Sequence, residues 1–600
     1  MKKVIKRVLS VAFCLISAVG TISIAACSKQ DETYSIVYNL NYDGGATRIM
    51  EVPYGAKTTS WKADRAGYNL VGWYLDEACT QKFNFRKPIE DDITLYAKWE
   101  KNDCILISFD ENYGGKYYNT VIESQKGKTV DEVLAPEVSR LGHIFTGWYK
   151  DKKCTQKWDF ETDTANGDTT LYAGYKRDNS MKFDSDGKPV FENVTVNLWL
   201  GAGWDSENNN NALWNLAKQF NSDPAYKGKI NVNVTYDLYN QDFFSLRFQK
   251  TPNKNETDER YYSIDEIYDL AGIEYSADDW YANAVKDSYV GGRLTSVPVA
   301  AGVPYLVYNK TLMENYNKDK PLPSTYAEFG ALIEKVYAGE SVTNPNFKGI
   351  TSNTSATYLE ATSYAAFAQN GVDYFEFKDG KIQNTWDSLT DAQTALTNTY
   401  EMFGKTGKYH GEFYGDEAFE KFDKGTNDVN NGNAFFGVVS WPSVLPNYLV
   451  DNENVGVMPL SGLFADGKYK DRIPVHSLGL AFYRAQNLST TELAAAGVFA
   501  DYVSKNSQVF AKNGWYPVRK SVVESEEFKK SNDPVVSLLT QTGNPENFYT
   551  LDGSYKTILV LDDFAFERNI LRAVNSETRL TESDLAAMTA YLKKSIIDAR

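Results

Sequence analysis

The rhythm of apolar and polar positions changes along the chain, and each change predicts a different kind of element. Lys2, Lys3, Lys6 and Arg7 precede a largely apolar run from Val8 to Ala26, the layout of an export signal over residues 1–26. Period-two alternation follows at Ile36, Tyr38 and Leu40, and again at Ile105, Ile107 and Phe109. Both read as strands, the first closed by the turn signal Asp43-Gly44-Gly45. Residues 34–99 and 104–175 are copies of one unit: Gly44-Gly45 matches Gly114-Gly115, Trp73 matches Trp148, and Cys79 matches Cys154. A polar stretch at 176–193 reads as a linker.

From residue 194 onward strands alternate with helices. Residues 194–200 and 230–239 read as strands, and Leu213, Leu216, Ala217 and Phe220 give helical spacing between them. This order predicts a parallel α/β sheet. Arg293 to Lys310 reads as a strand passing from one packing unit to another. Pro298 suits a strand start or edge, Gly302 would supply a flexible joint, and Leu306, Val307 and Tyr308 form a buried run.

Composition narrows the picture. A chain of 600 residues exceeds one core, so roughly three or four folding units are expected. Aromatics make up 14%, with 41 Tyr and 12 Trp, which fits β-rich modules, carbohydrate-binding surfaces or both. A formal charge of −16 argues against nucleic acid as a partner. Beyond Cys14 and Cys27, the odd set Cys79, Cys104 and Cys154 does not form a disulfide framework. The chain's 3 His argue against a His-rich metal site, and no cofactor motif stands out. Asp184-x-Asp186-Gly187 and Asp428-x-Asn430-x-Gly432 read as turns rather than metal loops. No nucleophile elbow, zinc motif or phosphate loop points to an enzyme.

Three resemblances extend this reading. Ile24-Ala25-Ala26-Cys27 resembles a bacterial lipobox. It implies diacylglycerol and acyl chains on Cys27, with residues 28–32 as tether, on the extracytoplasmic face of a Gram-positive cell membrane. The two copies, each carrying a Gly-Trp-Tyr segment, a Cys-Thr-Gln-Lys segment and a closing Leu-Tyr-Ala, resemble the Listeria–Bacteroides repeat, a small β-grasp-like module. That implies a spacer, or a module adhering to cell-wall polysaccharide or protein, with Trp73 and Trp148 as core aromatics.

The chain from 194 to 600 is similar to family 1 extracellular solute-binding proteins of ABC importers, the maltose-binding-protein-like group. The ordered series is 291–315, Pro321 to Val336, 433–448, 454–462, 477–485 and 513–522. The resemblance implies a two-lobed α/β periplasmic-binding-protein fold closing on ligand like a hinge. Lobe 1 is expected at about 194–301 and 475–525, lobe 2 at about 305–470 and 530–600. It further implies a monomer that binds a carbohydrate, without catalysis, and hands it to permease subunits. The site residues implied are Trp204, Asp205, Tyr358, Trp441, His476 and Trp515, with Tyr364, Tyr516, Phe564 and Phe566 nearby. Each can also be read as core filler. Residues 240–270 show no copy of the strand the family places there. A surface glycan hydrolase, an adhesin without a transporter, and a peptide or polyamine ligand stand as alternatives.

Overall fold

The computed structural model describes residues 33–598 except 43, 66, 102–103, 114–119, 201–211, 236–245, 251–260, 291–292, 354–355, 374–375, 379–380, 384–388, 415–423, 440–452, 485–487, 551–569 and 571. Cys27 and the export signal therefore lie outside the described residues.

The first repeat is a four-stranded sheet in the order Thr47–Pro53, Thr33–Asn39, Ile93–Lys101, Tyr68–Tyr74. The second repeat has the matching order Thr120–Gln125, Cys104–Asp110, Thr169–Arg177, His143–Tyr149. Trp73 and Trp148 are buried, as the core reading expects. One device recurs in both copies. Asn41 and Asn112 each take a positive φ of 59° and donate from Nδ2 to the carbonyls of Ala97 and Ala173. The same Nδ2 groups reach Cys79 Sγ at 3.4 Å and Cys154 Sγ at 3.2 Å. Burial pushes both thiols above their ordinary value, so they act as small apolar acceptors rather than nucleophiles.

The chain forms two compact units. The larger takes Phe109–Thr120, Pro136–Trp158 and Leu171–Arg600, and so includes part of the second repeat. Asp184 in the linker caps a turn, accepting from the N–H of Asp186 and Lys188, with Gly187 at φ 77°.

The binding domain has two α/β sheets, each with its own core. The first runs Ile230–Thr235, Val194–Leu200, Leu246–Lys250, His476–Ala481, Ser296–Gly302, Tyr516–Pro517. The second runs Glu412–Tyr414, Lys348–Asn353, Ala434–Val439, Tyr305–Asn309, Val455–Pro459. On the first sheet, helix Thr490–Lys505 opens with a Ser489/Glu492 capping box. Its small residues Ala494, Ala495, Ala496 and Gly497 are buried, and a Cβ on Gly497 would come within 2.7 Å of Ile267. That lack of side chain lets helix Ile264–Ala271 lie close against it.

Three expectations are corrected here and one is kept. Leu246–Lys250 supplies the strand thought missing from 240–270; it pairs parallel with Val194–Leu200 and antiparallel with His476–Ala481. Pro298 keeps the position near a strand start that the sequence suggests: it is paired with Gly479 on one side, and Tyr516–Pro517 pairs on the other only from Ala300. A register shift between Pro298 and Ala300 removes the need for its missing N–H, and its carbonyl accepts from Ser504 Oγ at 2.8 Å. Gly302 has no positive φ; it continues the ladder, paired with His476. Finally, Val536, Leu539 and Phe548 pack in the first-lobe core, whereas Ile570 and Leu585 pack in the second. The chain thus returns to lobe 2 after Phe548, not between 525 and 530.

Candidate ligand cleft

Strand polarity places the site. Val194–Leu200, Ile230–Thr235 and Leu246–Lys250 are parallel, so their carboxyl ends reach one edge of the first sheet. His476–Ala481 runs the other way, which brings its first residue, His476, to that edge. Ser296–Gly302 reverses again, and its last residue, Gly302, pairs with His476. In the second sheet Lys348–Asn353, Glu412–Tyr414 and Ala434–Val439 are parallel and end together. Tyr305–Asn309 is antiparallel to them and starts at that edge, Tyr305 opposite Val439 and Pro459. Only Val303 and Pro304 separate Gly302 from Tyr305. The two carboxyl edges are therefore joined end to end.

Two further passages between the lobes meet in a short ribbon. Ile473–Pro474 pairs parallel with Phe548–Tyr549, and Val475 N–H donates to Tyr549 O at 2.9 Å. Phe548 packs in the first core and Tyr549 against the second. Arg472 steadies the ribbon: its guanidinium lies 4.3 Å from the Tyr469 ring centre and 5.4 Å from that of Tyr549, and it pairs with Asp373 at 2.9 Å. Gln369, buried at the end of helix Ala356–Gln369, donates to Leu460 O and accepts from Phe464 N–H. This fixes the start of the same passage in lobe 2.

At the joined edge, His476 meets Trp515 edge to face at 5.7 Å. A Cβ on Gly302 would stand 2.8 Å from Trp515 Cζ3 and closer still to the His476 ring. Glycine is thus required by close approach of two rings, not by backbone freedom. The next residue, Ser477, anchors the strand. Its N–H donates to Asp287 Oδ2 at 2.8 Å, its hydroxyl donates to Asp287 Oδ1, and the Ser288 and Ser477 hydroxyls lie 2.9 Å apart. Asp287 is fully buried, and this network holds the backbone under His476.

The predicted site residues separate into groups. His476 is half-buried at the edge. Trp515 is completely enclosed in the first core, so it stands behind His476 with no face toward solvent. Tyr516 is core as well, edge-on to Phe528 and Phe548. Tyr364 packs against the second core. Tyr358 falls in helix Ala356–Gln369, but its side chain is outside the described residues. Trp204, Asp205, Trp441, Phe564 and Phe566 lie outside them too; the first two come downstream of Leu200, and Trp441 downstream of Val439. Sequence reasoning missed Asp287, which stands between Lys286 and Ser288 and carries no signal that sets it apart from a surface acid. It also missed that Arg519 in the Pro-Val-Arg-Lys turn is structural. Arg519 is buried and bridges Asp501 at 3.4 Å and Asp279 at 3.3 Å beneath Trp280.

Among the described residues no cluster of His, Cys, Asp and Glu could hold a metal ion. Nor is any helix among them long and apolar enough to cross a membrane.

The family comparison agrees with this architecture. The bacterial extracellular solute-binding protein model matches residues 215–534, and the chain belongs to that family. The Listeria–Bacteroides repeat model matches 34–98 and 106–174. Among curated relatives, a Gly-rich membrane protein of Evansella cellulosilytica is 36% identical over 157 residues, 25% of this chain and 18% of that one. Internalin H of Listeria monocytogenes is 29% identical over 180 residues, 30% of each chain. The chain spans less than a third of the length of these relatives. Among solved structures, MalE3 of T. maritima with maltose bound is 18% identical, covering 67% of this chain and 99% of that one, with a TM-score of 0.47. The cyclic alpha-maltosyl-1,6-maltose binding protein of Arthrobacter globiformis is 15% identical, covering 68% and 100%, at 0.49. UgpB of Mycobacterium tuberculosis with glycerophosphocholine is 16% identical, covering 68% and 98%, at 0.47.

Proposed function

We propose that this solute-binding protein captures a carbohydrate, an oligosaccharide, between its lobes. It delivers that ligand to the permease subunits of an ABC importer while anchored through lipid on Cys27 outside the cell membrane. The observation that carries this reading is the end-to-end meeting of the two carboxyl edges. Ligands of open α/β sheets lie outside the carboxyl ends of strands, where the topology turns. Two such edges joined by short crossings give a cleft whose walls can approach around a solute.

The chemistry of the candidates supports a sugar. Trp204 and Trp441 come in the chain just after strands ending at those edges, one from each lobe. Indole faces cover the apolar faces of sugar rings, and Asp205 and His476 suit the hydroxyls around them. Trp515 acts through His476 by holding its ring. The protein acts as a monomer, binds without changing its ligand, and needs no cofactor; its repeats set the binding domain off from the anchor.

Calorimetry against a panel of maltodextrins and other glycans tests this. One glycan is expected to bind one-to-one and be recovered intact, and Trp441→Ala to weaken it roughly 30-fold, about 2 kcal/mol. Released sugar products would make the protein a hydrolase. Heat from no glycan, or an affinity indifferent to Trp441→Ala, would refute the site.

A further inference from the structure

The larger compact unit contains a cavity of about 780 Å³ away from the cleft. It is walled on one side by Asp110, Tyr113 and Lys152 of the second repeat and on the other by Asp265, Tyr268 and Glu274 of the first lobe. All belong to the same unit. The two walls are fastened together beside it. Arg140 donates to Asp269 from Nε at 2.8 Å and from Nη2 at 2.5 Å, and lies over the rings of Tyr113 and Tyr175. Ser180 Oγ and Thr490 Oγ1 are 2.8 Å apart.

Two buried polar atoms in this wall have no hydrogen-bond partner among the described residues. Asp265 is 6% exposed; its Oδ1 accepts from Tyr275 at 2.6 Å, but its Oδ2 has no hydrogen-bond partner. At the helix start the Ser263/Glu266 capping box takes the N–H groups of Ser263 and Glu266. Tyr268 is fully buried and its hydroxyl likewise lacks a partner. Such groups are costly unless satisfied. The lining is also unbalanced in charge: Asp110, Asp265 and Glu274 face Lys152, while Asp269 is matched by Arg140. Glu111 and Glu266 deepen the negative field around Tyr113, holding its hydroxyl well above the usual range after burial.

The geometry points to a second ligand site here, for a small organic cation carrying a primary amine. The ammonium sits against Asp265 Oδ2, supplying the missing donor, and the tyrosine ring faces give it cation–π contact. A volume of this size holds a ligand larger than a bare ion. The site is built from a repeat and a lobe together, which gives the second repeat a binding role of its own.

The test uses the full chain with putrescine, glucosamine and, as the neutral isostere of glucosamine, glucose. Each amine is expected to raise Tm and bind one-to-one, with glucosamine at least tenfold tighter than glucose. Asp265→Asn should weaken both amines about tenfold. Glu274→Gln, at the exposed rim where folding is not at stake, should weaken them severalfold. Trp441→Ala should leave amine affinity unchanged, which separates this site from the cleft. No heat with either amine overturns the proposal. So does glucose binding as tightly as glucosamine, loss of amine binding in Trp441→Ala, or indifference to both acidic substitutions.

Discussion

Gly302 shows how a single missing side chain sets the cleft edge. The sequence suggests a joint there, yet its backbone is ordinary strand, and what it provides is room for the rings of His476 and Trp515. Gly302→Ala is therefore expected to destabilise the protein by about 1–3 kcal/mol through overpacking, read as a lowered Tm. A Tm equal to that of the unaltered chain would return the residue to its role as hinge. Asp265 makes the opposite case, a residue that the fold tolerates at a cost. Burial raises its carboxyl above the ordinary value, against the lowering hydrogen bond from Tyr275. The ionised form is then the disfavoured one. Its cost is absent below the ordinary value of about 3.9 and grows as pH rises through and beyond it. Asp265→Asn should accordingly raise Tm at neutral pH, with the gain gone near pH ~3. A variant less stable at neutral pH would contradict that sign. At this scale the sequence was least informative. Trp515 reads as ligand-facing from its place before Pro517 and proves to be enclosed, because exposure depends on partners such as Gly302 that are distant in the chain.

Elements were far more legible. The alternation in the repeats and the apolar run ending in Asn309 both became strands where the pattern placed them. Asn309 closes its strand by capping the next helix, accepting from Leu312 N–H at 2.9 Å while donating to Val429 O. The strand Leu246–Lys250 escaped because its sequence, Leu-Arg-Phe-Gln-Lys, is half charged or polar and follows no family motif. Pairing on both sides, not local propensity, makes it a strand. The seam beside the second cavity could not be read at all, since it joins elements more than a hundred residues apart. Arg140→Glu would set like charges against Asp269 there. The pair is partly exposed, so the lost attraction is only about 1 kcal/mol. Hydrogen exchange should nevertheless quicken in helix Ile264–Ala271 while the second-lobe core stays protected. Unchanged exchange in that helix would mean that the ion pair does not hold the seam.

For the molecule as a whole, the two-lobed α/β plan followed from ordered segments, none of them diagnostic alone. The family match over 215–534 bears out that reading. What the order of segments could not give was where the chain changes lobes for the last time. Helix Pro534–Thr542 has the same apolar character in either core, and only the place of Val536 and Leu539 in the first core assigns it there.

The seam has a mechanical consequence. The second repeat grips the first lobe through Arg140 and Asp269. A pull applied to the second repeat is therefore carried into the first lobe before it reaches the second through the crossings between the lobes.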